Sequence, residues 1–91
     1  MIRKIVEVRN ELGLHARAAA KLVRLASRFD SEISLAREGA NQQINSKSIL
    51  GILMLAAPRG TRLVVSVDGH DEIEAGDAIV EIFKSGFGEQ T

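Results

Sequence analysis

The feature that most constrains this chain is the way two hydrophobic periods alternate along it. Ile2 to Val8 is short and rich in β-branched residues, which predicts a strand, and Asn10 to Gly13 supplies the turn residues that end it. After His15, the residues Ala19, Leu22, Val23 and Ala26 fall at the spacing i, i+3, i+4, i+7, with Lys21, Arg24 and Arg28 between them, so an amphipathic helix follows. Ile33 and Leu35 alternate with Glu32, Ser34 and Ala36; Glu38-Gly39 marks a turn, and a weaker polar strand is expected around Gln42 to Ile44. Ile49 to Leu55 is apolar at nearly every position, a short helix that cannot bury all its faces on one sheet. Leu63, Val65 and Val67 then alternate with Arg62, Val64 and Ser66 up to Asp68-Gly69, and Ala75, Ala78, Ile79, Ile82 and Phe83 restore the helical spacing until Gly86. The order β-α-β-β-α-β-α calls for an α+β fold with one sheet and its helices on a single face.

With 91 residues, 45% of them apolar, the chain suits one domain spanning residues 1–91 with a core that needs no disulfide or metal clamp. The absence of cysteine excludes thiol chemistry and cysteine-ligated zinc, and fits a reducing, cytoplasmic setting. Charges interrupt the apolar residues from Met1 to Glu7, so no signal peptide is expected, and no stretch approaches the roughly 20 apolar residues that span a bilayer. Twelve basic and twelve acidic side chains cancel, and the aromatics are three phenylalanines. Neither a phosphate-neutralising surface nor a base-stacking platform is evident, so nucleic acid is not an expected partner.

Gly13-Leu14-His15-Ala16-Arg17 places an imidazole and a guanidinium two residues apart where a loop becomes a helix. The first turn of a helix has unpaired N–H groups and the positive end of the macrodipole, which together suit an anion. Imidazole is nucleophilic near neutral pH without a separate base, and a guanidinium offers a planar fork of donors to phosphate oxygens. His15 is therefore a candidate phosphoryl acceptor and Arg17 its stabiliser; by spacing alone, an ordinary surface or capping histidine is the competing reading. No further histidine, cysteine or carboxylate cluster near His15 in the sequence has metal-ligand spacing, and no Walker-type phosphate loop is present, so no cofactor is expected and the phosphate must come from a partner.

Over essentially its whole length the chain resembles the HPr family of the bacterial phosphoenolpyruvate-dependent phosphotransferase system. Gly13-Leu14-His15-Ala16-Arg17 is similar to that family's active-site motif, and Lys47-Ser48-Ile49-Leu50-Gly51 to its regulatory motif. The resemblance implies an open-faced β-sandwich, a four-stranded antiparallel sheet beneath three helices. It implies that enzyme I phosphorylates His15 at Nδ1, that Arg17 steadies the phosphate, and that the group passes to an enzyme IIA-type component or a regulatory acceptor, in the sugar-uptake or the nitrogen-regulatory branch. Ser48 would match the serine that an HPr kinase/phosphorylase modifies in some bacteria. Ile49, Leu50 and Leu53, with Ala20, Lys21 and Arg24 on the first helix, would form the docking surface of a monomeric carrier. One departure stands out: the family usually has proline after the arginine, and this chain has Ala18. Proline would stiffen the start of the helix.

Ser46 and Ser48 are both good N-cap residues for the short helix. His70 reads as a surface residue, with Asp71 capping the last helix and Glu72 and Glu74 complementing its dipole. The competing functional class is a non-transferring binding module acting through Ser48 and the apolar helix; the presence of His15 and Arg17 argues against it, since such a module has no need of that pair. A domain cut from a larger phosphotransferase is a third reading, and the initiator methionine with a full element set favours a free-standing chain.

Overall fold

The computed structural model describes residues 1–89. Its elements are β1 (Ile2–Glu7), α1 (Ala16–Ala26), β2 (Glu32–Arg37), β3 (Ile44–Asn45), α2 (Ile49–Leu55), β4 (Arg62–Asp68) and α3 (Glu72–Lys84), in the expected order. A short turn over Gly86–Gly88 follows α3. The strands form one antiparallel sheet in the order β1-β4-β2-β3. The weak polar strand is displaced slightly from its expected place and holds only the pairs Ser34–Asn45 and Leu35–Ile44.

Alternation along the two central strands decides which face is covered. Ile33 and Leu35 on β2 and Leu63, Val65 and Val67 on β4 are buried, in register as Ile33–Val67 and Leu35–Val65. Their outward neighbours include Glu32, Ser34 and Arg62. α1 contributes Ala18, Ala19, Leu22 and Ala26 to the core, and α3 contributes Ala75, Ile79 and Phe83. At about 1.5–3 kcal/mol for each fully buried large apolar side chain, this layer is the main stabilising term of the fold.

α2 is different. It packs against α1 and β3 at the side of the helical layer, and only Ile52 of its seven residues is buried. Ile49, Leu50, Leu53 and Met54 are exposed, Leu50 by 66% and Met54 by 76%. Ser48 is its N-cap, its Oγ accepting from the Gly51 amide at 3.2 Å. Ser46 does not cap: it is fully buried, and its hydroxyl has no partner among the described residues.

Asp71 corrects the sequence expectation. It stands at the N-cap of α3 but makes no side-chain capping bond. Its carboxylate instead accepts the Asp30 amide at 2.8 Å, the Ser31 amide at 3.0 Å and the Ser31 hydroxyl, tying the start of α3 to the turn before β2. Glu72 supplies a local bond in its place, accepting the Gly69 amide at 3.2 Å, and Glu72 and Glu74 do occupy the first turn. His70 lies on the surface as expected, with Nε2 2.8 Å from Asp30 Oδ2. Donor atoms of Asp30, His70 and Asp71 lie within 4.8 Å of one another, yet they are engaged by these bonds and by each other.

Hydrogen bonds from the Ser31 hydroxyl, then from the Asp30 amide, outweigh the opposing effect of burial and, with the Ser31 amide and the His70 charge, lower the Asp71 carboxyl from 3.8 to about 2. A depressed folded-state value means that this tie is intact above the unfolded value and is lost as pH falls through the folded one. Stability is therefore expected to decline between about pH 4 and about pH 2 through this group. Asp71→Asn should flatten that part of the profile in urea unfolding followed by circular dichroism; an unchanged acid limb would reject the assignment.

Candidate functional site

The loop between β1 and α1 is held to the rest of the chain by its backbone. The Gly13 amide donates to Asn10 O at 3.1 Å, and the Leu14 amide donates to Ala57 O at 2.9 Å while the Leu14 side chain is buried. Gly13 has φ +71°, and a Cβ there would lie 2.5 Å from Ala57 O, so the close approach and the left-handed backbone both require glycine. This anchoring sets His15 as the N-cap of α1, with extended backbone at φ −79° and ψ −180°.

The imidazole is gripped at both nitrogens. Nδ1 accepts from the Arg17 amide at 3.3 Å, and Nε2 lies 2.5 Å from Glu89 Oε2. An N–H donor at Nδ1 and a carboxylate at Nε2 are jointly satisfied only when the proton is on Nε2 and the lone pair on Nδ1. The lone pair thus points at the first turn of α1, which contains no acidic residue. The Ala19 amide closes that turn on His15 O at 2.8 Å, whereas the Ala16 and Ala18 amides have no partner among the described residues. The site can therefore receive an anion next to a nucleophilic nitrogen.

Arg17 is exposed, and its guanidinium makes no hydrogen bond among the described residues; its amide is what touches the ring. Lys21, one turn on, is committed: its Nζ donates to Phe87 O at 2.7 Å. Arg24 is exposed and Ala20 half-buried on the same helix. α1 and α2 pack side by side, so these residues and the exposed Ile49, Leu50 and Leu53 belong to adjoining elements.

Glu89 and Asn10 were not foreseen as site residues. Burial raises the Glu89 carboxyl, but hydrogen bonds from Asn10 and His15, with the Lys21 charge, outweigh it and hold the carboxyl below its ordinary value. Asn10 is 1% exposed, and its Nδ2 donates to Gly13 O at 2.6 Å and to Glu89 Oε1 at 3.0 Å. The signals were faint: a polar residue just beyond the first strand, and a phenylalanine between two glycines near the end of the chain.

Ala18 is fully buried at the third position of α1 and has an unpaired amide, so the usual proline would cost no intrahelical bond there. Ala18→Pro is expected to raise stability by about 0.4–1 kcal/mol, mainly through the unfolded chain. Urea unfolding checks this, and a loss of stability would mean that the buried position cannot hold the ring.

A family model described as the HPr component phosphorylation site of the phosphotransferase system matches residues 2–85. Phosphocarrier protein HPr of Xylella fastidiosa Temecula1 is 45% identical over 91 residues, covering all of both chains, and that of Cupriavidus necator is 44% identical over 98% of each. Among solved structures, HPr-C-His of Thermoanaerobacter tengcongensis superposes with a TM-score of 0.93 at 41% identity over the full length of both chains. HPr of Bacillus anthracis gives 0.83 at 35% identity, covering 90% of this chain and 95% of that one.

Proposed function

The chain belongs to the HPr family of phosphocarriers of the phosphotransferase system, and from that premise we propose that Nδ1 of His15 is the atom that carries the phosphoryl group. The observation that carries this reading is the Nδ1 lone pair held at the first turn of α1, where it accepts from the Arg17 amide. The protein is a stoichiometric carrier, not a turnover enzyme, and its partners are of the phosphotransferase class, such as enzyme I and enzyme II components.

In the forward step, the Nδ1 lone pair attacks phosphorus and the bond to the donor breaks, the donor keeping that electron pair. As the bond forms, the Arg17 amide is released from Nδ1, and it and the exposed Ala16 amide are the natural first-turn donors to the new phosphate oxygens. The Arg17 guanidinium, exposed and uncommitted to other described residues, swings over the phosphate to neutralise charge. In the second step an acceptor nucleophile attacks phosphorus and the ring recovers its lone pair. Enzyme I as the immediate donor, an enzyme IIA-type acceptor, a monomeric state and a cytoplasmic setting all belong to this proposal. Among the described residues, no helix is long and apolar enough to cross a membrane.

Docking would use the exposed apolar residues Ile49, Leu50 and Leu53 with Ala20, Lys21 and Arg24, a small patch suited to fast exchange of partners. Ser48 sits at the edge of that patch, and phosphorylation by a kinase of the HPr kinase/phosphorylase type would place about two negative charges there. An acidic side chain can accept the Gly51 amide as the Ser48 hydroxyl does, so such a switch would act on docking and not on folding. The alternative of a non-transferring binding module is not favoured, since the matched family is one of phosphocarriers.

Incubation with enzyme I, phosphoenolpyruvate and Mg²⁺ is expected to add one acid-labile phosphoryl mass to the protein and none to His15→Ala. An adduct retained by the variant, or no adduct with an active enzyme I, would overturn the assignment. Ser48→Asp is expected to keep the fold and to weaken association with enzyme I by about tenfold, or ~1.4 kcal/mol, in titration calorimetry. An unchanged Kd would reject the regulatory role.

A further inference from the structure

The segment after α3 turns back on itself in an unusual conformation. Gly86, Phe87 and Gly88 have φ values of +62°, +59° and +71°, three left-handed residues in succession. Two are glycines, but Phe87 is strained there, because its Cβ crowds the left-handed backbone. Its ring offsets this by burial, 2% exposed and edge-on to Phe83 with centroids 5.0 Å apart. Lys21 Nζ fastens the turn through Phe87 O. The result is that Glu89, 74 residues from His15 in sequence, delivers its carboxylate to the imidazole.

The carboxylate is itself held. Its Oε2 faces His15 Nε2, and its Oε1 accepts from Asn10 Nδ2. The amide orientation of Asn10 is fixed by its partners, because Gly13 O and the Glu89 carboxylate both accept and only the NH₂ group can donate to the two. One buried amide thereby joins the loop before the histidine to the group behind it. The Glu89 side chain is only 13% exposed, so water competes weakly for the bond.

We propose that Glu89, anchored by Asn10, is a positioning residue for phosphoryl transfer: its carboxylate holds the proton on Nε2, presents Nδ1 as the nucleophile, and balances the charge of the ring once Nδ1 is phosphorylated. This rests on the reading of His15 as the phosphoryl acceptor. When the N–P bond forms, the Nε2 proton stays in place and the imidazole becomes a cation. A carboxylate at 2.5 Å stabilises that cation without taking its proton, as an orienting carboxylate does behind a general-base histidine. When the phosphoryl group leaves, the ring returns to the same tautomer, ready for the next cycle.

The test uses the full chain with ¹⁵N-labelled histidine. Wild type is expected to show a downfield, slowly exchanging His15 Nε2–H resonance that disappears in Glu89→Ala and broadens in Asn10→Ala. The rate of phosphorylation by enzyme I should fall by about 10- to 100-fold in Glu89→Ala, the scale seen when a carboxylate behind a histidine is removed from other sites. Glu89→Asp, with a shorter reach, should restore neither fully. A resonance and a rate both unchanged in Glu89→Ala, with the adduct still lost in His15→Ala, would overturn the role of Glu89 alone. An adduct that persists in His15→Ala would instead overturn the underlying reading, whatever the resonance does.

Discussion

Burial of one face of a four-stranded sheet is the interaction on which the rest of this molecule depends. Ile33, Leu35, Leu63, Val65 and Val67 present a continuous apolar surface, and the small residues of α1 with Ile79 and Phe83 of α3 close it. Two helices suffice. The third, α2, is left against α1 and β3, and apart from the buried Ile52 most of its apolar side chains face solvent. An exposed patch of this kind on a small fold is characteristic of a surface that meets partners. The packing that stabilises the domain is thus also what leaves one face of α2 exposed.

The same packing fixes where α1 begins. The Leu14 side chain and its amide bond to Ala57 hold the loop, Gly13 permits the close approach, and the helix starts at His15. In the proposed transfer the backbone at this helix start provides the electrostatic setting for an anion beside His15. Glu89 lies on the other side of the ring, so the imidazole is held between the start of α1 and a carboxylate. Such an arrangement suits a group that must both accept and surrender phosphate, because the charge created on the ring is balanced while the bond to phosphorus stays accessible.

Much of the fold was legible because strands and helices differ in period. The helix from Ile49 to Leu55 matched its expected span, and the expected exposure of its apolar residues followed from counting faces. The site was legible only in its local part. Gly13 to Arg17 is contiguous, so loop, cap and nucleophile could be read together. Asp71 was expected to cap its own helix, a local use, but its carboxylate serves the Asp30-Ser31 turn some 40 residues away in sequence. Ser46 and Ser48 were equal as caps by residue type, and the path of β3 into α2 buried one and left the other at the helix start.

By itself the sequence determined the order of elements, the single apolar sheet face, the surplus of apolar residues on α2, and the histidine and arginine at a helix start. Those follow from side-chain period, turn chemistry and residue type, which act over a few positions. The tertiary structure alone decided that Asn10, 79 residues from Glu89, would share a hydrogen bond with it, and that the two would stand behind His15. The physical reason is that a left-handed turn at Gly86 to Gly88 has value only when Phe87 can bury its ring against Phe83 and Lys21 can reach its carbonyl. Neither condition exists until the helices have packed.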